Sequence, residues 1–375
     1  MHKDSNRNIA IIGASYHQLP LIERAKEMGY TTHVFAWADD DIGEKAADFF
    51  YPISIVDKEE ILKKCKEIGI DGICSISSDL AVITVNYVAA KLGLTGNSLR
   101  STEKSTNKHL MRLAFEEKGD PSPKSILIDE NTGIESLDIT YPAIIKPTDR
   151  SGSRGIYKVF NADEAKEAYK GALEQSLEKK VLIEEFVEGD EYSVEYISYK
   201  GKHFFLAVTK KYTTGAPRFI ETGHLEPAPI SEELTEKIKR VVEHALDTLE
   251  IENGASHSEI KIDAQERIKI IEIGGRMGGD CIGSDLVMYS TGYDFVRMVI
   301  QIACGQAPDF TPVCESFPVE SIFIFNQEDL DKFNWIKQND PNRIVRVVDM
   351  DLELLGNATD SSNRAGCYIL KHNEK

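Results

Sequence analysis

Two glutamates in the second half of the chain could bind a divalent metal ion between them. The segment Glu259–Gly279 reads EIKIDAQERIKIIEIGGRMGG. Its two isoleucine-rich halves flank Asp263–Arg267, which predicts a β-hairpin with its turn there. A turn centred in the middle of that segment places Glu259 opposite Glu272, where facing carboxylates repel each other unless a cation lies between them. Mg²⁺ suits such a site, because it takes one or two carboxylates and completes its shell with water and nucleotide phosphates.

The residues after the second strand add groups that suit phosphate or carboxylate oxygens. Gly274 and Gly275 allow close approach of the backbone, and Arg276 carries a planar guanidinium that can donate two hydrogen bonds in parallel. The same pattern also fits a solvated hairpin whose acids face water. This segment alone does not decide between the two interpretations.

The charge balance argues against nucleic acid and anionic membranes as main partners. The 375 residues include 44 Lys plus Arg against 62 Asp plus Glu, which gives a net charge of −18. A local basic pocket for phosphates is still compatible with this balance. No apolar run approaches the roughly 18 residues that a membrane span needs.

The cysteines and the N-terminal sequence favour a cytoplasmic protein. None of the six cysteines has CxxC or other metal-ligand spacing, which is typical of reduced thiols, although spacing does not exclude a disulfide. The chain starts with polar residues and continues directly into a strand, so we expect no signal peptide.

Strands and helices alternate over the first hundred residues. A short apolar strand at Asn8–Ile12 precedes an amphipathic helix, and a later strand leads into a helix at Leu80–Leu92. This alternation predicts a doubly wound parallel sheet, which binds ligands beyond the carboxyl ends of its strands. The absence of GxGxxG argues against a dinucleotide site there.

The middle of the chain offers lysines and a flexible loop. A helix is predicted at Asn107–Lys118, with Lys108 in its first turn, where the helix dipole does not favour a cation. That lysine either serves an anion or is solvated. The strand Tyr141–Lys146 ends in a lysine and runs into PTDRSGSRG, whose small residues and free amides could close over phosphate oxygens. An ordinary loop rich in serine and glycine is the alternative, since the P-loop pattern is absent.

The later segments contribute a lid and scaffold. Residues Tyr212–Glu226 contain two glycines and a proline without periodicity, which predicts a mobile lid over a site. Ser231–Glu250 has the pattern of an amphipathic helix that serves as scaffold. Residues 313–375 contain three strand-like runs and no recognisable chemistry.

Five motifs in this order resemble the ATP-grasp superfamily over roughly residues 8–312. They are Asn107-Lys108, IIKPTDRSGSRG, LIEEFVEGDEYSVE, SEIKID and IIEIGGRMGGD. The spacing of the glutamates and Arg276, with ETGH upstream, is most similar to the L-amino-acid (dipeptide) ligase branch of carboxylate–amine ligases.

The resemblance implies an α/β plus α+β fold. An N-terminal doubly wound parallel sheet would be followed by a two-part ATP-grasp fold and a small C-terminal α+β subdomain. The expected domains are 1–106 (N-terminal, Rossmann-like), 107–198 (small ATP-grasp domain), 199–312 (large domain with the metal site) and 313–375.

The resemblance also implies a role for each matching residue. ATP would be bound by Lys108, Lys146, Ser151, Gly152, Ser153, Gly155, Glu184 or Glu185, Phe186, Val187 and Glu191, the last at the ribose. Glu259 and Glu272 would bind Mg²⁺, which Mn²⁺ can replace. Arg276 and Lys146 would be catalytic, and the substrate pocket would contain Glu221, His224, Arg276 and Gly278. Many ATP-grasp enzymes have an asparagine where this chain has Gly274, which leaves the number of metal ions open.

The implied reaction is ATP-dependent ligation of a carboxylate to an amine through an acyl phosphate, with amino acids as expected substrates. The expected partners are small molecules, not nucleic acid or membrane, and related enzymes are often homodimers. A second enzyme hypothesis keeps the fold but acts like a carboxylase, a carbamoyl-phosphate synthase or a purine-pathway ligase. A third is a non-catalytic ATP-binding regulatory subunit, against which the intact Glu259, Glu272 and Arg276 argue.

Overall fold

The computed structural model describes residues 7–131, 133–150, 154–215, 220–361 and 363–372. Three sheets organise these residues: two with four strands and one with eight. No helix within these ranges combines the length and the apolar character that crossing a membrane requires.

The N-terminal sheet is parallel, as predicted. Its strands are β1 (Arg7–Ile12), β2 (Tyr30–Phe35), β3 (Phe49–Tyr51) and β4 (Gly72–Cys74), in the order β3-β2-β1-β4. The helices of this part are α1 (Leu19–Glu27), α2 (Ile42–Ala46), α3 (Lys58–Ile68), α4 (Asp79–Leu92), α5 (Leu99–Thr106) and α6 (Lys108–Lys118). The apolar run in β1 is fully buried, which explains its lack of alternation.

Two of these helices begin at residues that reach the candidate site. Asp79 lies in the first turn of α4, where the helix dipole favours an acid. Asn107 caps α6 through hydrogen bonds from the backbone N–H groups of His109 and Leu110, which fixes Lys108 as the first helical residue.

The second sheet is antiparallel and small. It consists of β5 (Ser125–Asp129), β6 (Ala143–Pro147), β7 (Tyr157–Val159) and β8 (Lys180–Glu185), in the order β5-β8-β6-β7, with α7 (Ala162–Gln175) packed on it. Ile145 and Ile183 are among its core residues. Because β6 and β8 are antiparallel neighbours, Lys146 lies diagonally across from Glu184 on the same face of the sheet.

The third sheet has eight antiparallel strands. These are β9 (Asp190–Tyr199), β10 (Lys202–Thr213), β11 (Glu221–Glu226), β12 (Gly254–Ile262), β13 (Ile268–Gly274), β14 (Val319–Ile324), β15 (Ile344–Met350) and β16 (Gly366–Lys371). Their order is β13-β12-β9-β10-β11-β14-β16-β15. The remaining helices are α8 (Glu232–Thr248), α9 (Val287–Thr291), α10 (Phe295–Ala303) and α11 (Gln327–Asn339).

The expected domain boundaries do not coincide with the sheet boundaries. Strand β9 belongs to the eight-stranded sheet, although it begins eight residues before the expected boundary at residue 198. The three strands after residue 313 extend that same sheet rather than forming one of their own. The division into domains therefore stays a proposal.

The prediction of a mobile lid is wrong for residues 221–226. They form β11, which pairs with β10 and β14 inside the eight-stranded sheet. Gly223 gave a loop signal, but a Cβ there would lie 2.7 Å from the carbonyl oxygen of Ser321, so glycine allows close approach of two strands. Residues 216–219 of the expected lid lie outside the described residues.

Glu226 is a fully buried acid inside this sheet. Its relative exposure is 0%, and its carboxylate accepts hydrogen bonds from Thr209 Oγ1 and Ser290 Oγ at 2.5 Å each. Burial raises its pKa to about 7, against the opposing effect of these hydrogen bonds.

We expect Glu226→Gln to stabilise the protein at alkaline pH but not at acidic pH. The raised pKa means that the folded state loses stability as pH rises from the unfolded pKa of about 4.5 to about 7. Relative to wild type, the variant should gain nothing below pH 4.5 and roughly 3 kcal/mol at pH 8. Urea unfolding at several pH values measures this, with exposed Glu23→Gln on α1 as control. A gain independent of pH would contradict the buried titration.

Candidate active site

The hairpin of β12 and β13 places the two predicted glutamates face to face. Glu259 pairs with Glu272, as expected, but the register shifts next to this pair because Ile260 pairs with Ile270. Ile271 is therefore the extra residue of a β-bulge. Side chains alternate along a strand, so without the bulge Glu259 would oppose Ile271, and Glu272 would point to the other face.

A lysine binds each of these carboxylates. Lys211 Nζ lies 2.6 Å from Glu259 Oε1, and Lys108 Nζ lies 2.7 Å from Glu272 Oε1. Burial favours the neutral form of Glu259, but the charges of Lys211 and His257 outweigh it and hold the pKa of Glu259 well below its usual range. Each of the two facing acids thus has its own ammonium partner.

Lys211 joins three parts of the site. Besides Glu259, its ammonium lies 3.0 Å from Glu191 and 3.7 Å from Glu221, and its side chain is 3% exposed. Burial alone lowers the pKa of Lys211, but the three carboxylates outweigh it and hold the pKa well above the usual value. Lys211 therefore remains charged, and it connects the predicted ribose, metal and substrate residues.

Lys146 is fixed by a buried network. Its Nζ lies 2.7 Å from Glu184 Oε2, and Arg112 Nε donates to Glu184 Oε1 at 2.8 Å. Arg112 Nη2 also donates to the carbonyl of the bulge residue Ile271. Burial lowers the pKa of Lys146 despite the attraction of Glu184. Glu184 is thus engaged by two cations, and Glu185 pairs with Lys269 at 3.1 Å.

Arg276 is anchored by the N-terminal part of the chain. Its Nε and Nη2 donate to the two carboxylate oxygens of Asp79 at 2.8 and 3.2 Å. This bidentate pair fixes the plane of the guanidinium. The helix start at α4 therefore orients the predicted catalytic arginine.

His257 lies beside Glu259, and Gly278 packs against His257 and Glu195. His257 Nδ1 hydrogen-bonds Glu195, and its Nε2 lies 3.6 Å from Glu259 Oε1. Burial works against the charged ring, but Glu195 raises the pKa of His257 to about 9. The Gly278 N–H donates to Glu195 at 3.3 Å, and a Cβ on Gly278 would lie 2.7 Å from His257 Nδ1. The absence of a side chain at Gly278 thus leaves room for the hydrogen bond between His257 and Glu195.

These side chains surround a cavity of about 160 Å³. Most of the predicted residues within the described ranges line it: Lys108, Lys146, Glu184, Glu185, Phe186, Val187, Glu191, Glu221, Glu259, Glu272 and Arg276. Gly155, His224 and Gly278 are not among its lining residues. Ser151, Gly152 and Ser153 lie outside the described residues. A larger cavity of about 690 Å³ shares Lys108, Arg150 and Glu272 with the first, so the Lys108–Glu272 pair separates the two.

The donor set fits Mg²⁺ supplied together with phosphates. Within the described ranges, no group of three or more His, Cys, Asp and Glu side chains could bind a metal ion by itself. Two facing carboxylates nevertheless match an ion that takes its other ligands from water and nucleotide.

Sequence reasoning missed Lys211, His257 and Arg150, which also line the cavity. A usable signal was the alternation of polar residues in β9 and β12, where Glu191, Ser193 and Glu195 share a face. Such a face is normally taken as solvent-exposed, yet Ser193 and Glu195 are fully buried.

Comparisons with known proteins agree with this geometry. Residues 139–285 match a family model described as ATP-grasp domain. The chain is 25% identical over 331 residues to alanine–anticapsin ligase of Bacillus subtilis (strain 168), with 75% of this chain and 69% of that protein covered. The chain spans 63% to 69% of the length of three such ligases from Bacillus.

Two solved structures are similar over nearly the whole chain. The L-amino acid ligase from Bacillus licheniformis gives a TM-score of 0.81 at 22% identity, with 98% of this chain and 94% of that chain covered. Phosphoribosylglycinamide synthetase from Anaerococcus prevotii gives 0.77 at 21% identity, with 99% and 95% covered. These likenesses show the fold. The family match shows an ATP-grasp domain over residues 139–285.

Proposed function

We propose that this protein is an ATP-dependent carboxylate–amine ligase that joins amino acids and releases ADP and phosphate. One observation carries the proposal: Glu259 and Glu272 face each other in a cavity that also contains Lys108, Lys146 and Arg276. This cavity has six basic side chains (Lys108, Lys146, Arg150, Lys211, Lys261 and Arg276) against six glutamates, in a chain where acids outnumber bases 62 to 44. That local enrichment suits phosphate oxygens.

The proposed nucleotide site follows the cavity wall. Phe186 and Val187 come directly after β8 and would offer backbone groups to adenine, while Glu191 would accept the ribose hydroxyls. Lys108 and Lys146 would contact the phosphates. Glu259 and Glu272 would bind Mg²⁺ or Mn²⁺, and the bound ion would offset negative charge on the phosphate oxygens.

Gly274 supports a metal site with only two protein ligands. A Cβ there would lie 3.1 Å from Asp79 Oδ1 and 3.2 Å from Arg276 Nε. An asparagine at this position would therefore crowd the pair that orients Arg276. Glycine at position 274 thus provides no third metal ligand, but it leaves room for the Asp79–Arg276 pair.

The proposed reaction has two steps, and the positive charges of Lys146 and Arg276 serve one step each. A carboxylate is a poor electrophile, so the γ-phosphoryl group is first transferred to it, and Lys146 offsets the charge on the phosphoryl oxygens. The amine then attacks the acyl phosphate, and Arg276 stabilises the oxyanion that forms. Asp79 keeps the guanidinium in place throughout, because both of its oxygens are engaged.

The experiment that tests the function is ADP release with purified protein, ATP and Mg²⁺ against pairs of amino acids, followed by mass spectrometry of the products. Release that depends on amino acids, with a new amide bond, supports the proposal. Release that requires bicarbonate instead, or ATP binding without release, contradicts it.

We place this reaction in the cytoplasm, because all six cysteines are free thiols.

We expect Glu272→Gln to lower turnover by about a hundredfold or more, because one preorganised charge at the phosphates is lost. The thermal midpoint should change by no more than about 2 °C, since the amide still accepts the hydrogen bond from Lys108. Glu266→Gln, in the exposed turn of the same hairpin, is the matched control. Wild-type turnover in Glu272→Gln would remove this residue from the metal site.

We expect Arg276→Ala to bind ATP normally but to lose ligation by about a hundredfold. Arg276 is proposed to act on the acyl group, and Lys108 and Lys146 remain for the nucleotide. Calorimetry with a non-hydrolysable ATP analogue measures binding, and product formation measures ligation. Arg267→Ala, which breaks an exposed Arg–Asp pair in the hairpin turn, should change neither quantity. Equal loss of both in Arg276→Ala would place Arg276 in nucleotide binding instead.

A further inference from the structure

A separate cavity of about 110 Å³ lies where the last strands meet the segment after Arg276. We call it the C-terminal pocket, and its lining includes Tyr16, Asp280, Phe323, Val348, Ser361 and Arg364. A water molecule needs roughly 10–15 Å³ by this measure, so the pocket can contain a group of several atoms.

Arg364 is fixed in the wall of this pocket. Its Nη1 donates to Asp280 Oδ2 at 2.9 Å and its Nη2 to Asp280 Oδ1 at 2.5 Å, while the guanidinium lies 3.6 Å from the ring centroid of Phe323. Nη1 also lies 3.4 Å from the carbonyl oxygen of Glu221. Since the arginine side chain is only 5% exposed, Arg364 sets the position of Asp280.

His224 lies behind Asp280 with its hydrogen-bonding capacity unused. Its side chain is fully buried, and Nε2 is 3.7 Å from Asp280 Oδ2, beyond hydrogen-bond distance. Neither ring nitrogen has a hydrogen-bond partner among the described residues. His224 is not among the lining residues of the C-terminal pocket, so its near neighbour is Asp280 and not the interior of the pocket.

The pocket adjoins the active-site cavity of about 160 Å³. Ser361 lines the C-terminal pocket, Glu221 lines the active-site cavity, and Ser361 Oγ donates a hydrogen bond to Glu221 Oε2. Asp280 also follows Arg276 by only four residues. A substrate whose carboxylate faces Arg276 can therefore extend its side chain toward this pocket.

We propose that the C-terminal pocket binds the side chain of the amino acid whose carboxylate is activated, and that it selects side chains ending in an ammonium group. This inference rests on the proposed ligase function. Arg364 neutralises only Asp280, which leaves Asp351 in the lining and Glu221 at the border as excess acids. Lys211 does not balance Glu221, because it is shared with two other carboxylates.

The test compares L-lysine with L-norleucine, which has the same chain without the ammonium, and with L-glutamate. Each is assayed for ADP release and dipeptide formation together with a panel of other amino acids. We expect wild type to favour L-lysine over L-norleucine by about tenfold or more in kcat/KM, the effect of one charge-assisted hydrogen bond. L-glutamate should be the poorest substrate of the three.

Two variants and one control locate the effect. Val348→Phe fills the pocket without changing a charge and should raise the KM for L-lysine by about tenfold, with the KM for ATP unchanged. Arg364→Gln leaves the charge of Asp280 unneutralised, so it should lower the KM for L-lysine and raise the KM for L-glutamate. Arg346→Gln is the matched control. It breaks the ion pair between Arg346 of β15 and Asp285, which are 2.5 Å apart, and neither residue lines the pocket.

The outcomes separate the two proposals. ADP release without preference for L-lysine, or equal effects of Val348→Phe and Arg346→Gln, overturns the pocket assignment and leaves the ligase function standing. No ADP release with any amino acid overturns the ligase function itself. If Arg364→Gln fails to fold, Val348→Phe decides the question alone, since it replaces an apolar side chain on the edge strand β15.

Discussion

The repulsion between Glu259 and Glu272 is the constraint on which the whole site depends. Two carboxylates on adjacent strands destabilise a sheet unless cations offset them, and here the cations come from separate parts of the chain. Lys211 comes from β10, next to β9 in the same sheet, whereas Lys108 comes from the start of α6. The hairpin acids therefore connect the large sheet to the N-terminal part of the molecule through charge as well as packing.

The sequence predicted the facing glutamates correctly, but for an incomplete reason. Alternation of isoleucines identified the hairpin, and a turn centred between Gln265 and Glu266 gave the right pairing. Close to the turn, the paired residues are in fact arranged symmetrically about Gln265, as in the pair Ile262–Ile268. The bulge at Ile271 then shifts the pairing by one residue, which brings Glu259 opposite Glu272 as predicted. A bulge depends on contacts such as the hydrogen bond from Arg112 to the Ile271 carbonyl, and no local pattern reports these.

The remaining differences have a common physical origin. Gly223 was taken as a loop residue because its need for close strand contact is visible only once β14 lies beside it. The sequence motifs assigned no role to the buried polar face that contains Glu195, since alternation does not reveal what covers a strand. Ser361 and Arg364 carry no motif, and their contacts with Glu221 and Asp280 span more than 80 residues of sequence. Local sequence patterns thus predict helices, strands and the residues that face each other in a hairpin. Contacts between residues far apart in the sequence can be identified only from the folded structure.

The strand order has a consequence for how the molecule forms during synthesis. Strand β16 lies between β14 and β15, so β15, although made earlier, has no neighbour in the sheet until β16 emerges. Until then β15 has no pairing strand and β14 is paired only with β11, so one edge of β14 stays open. Ribosome-bound chains would thus display an incomplete sheet edge, of the kind that chaperones recognise.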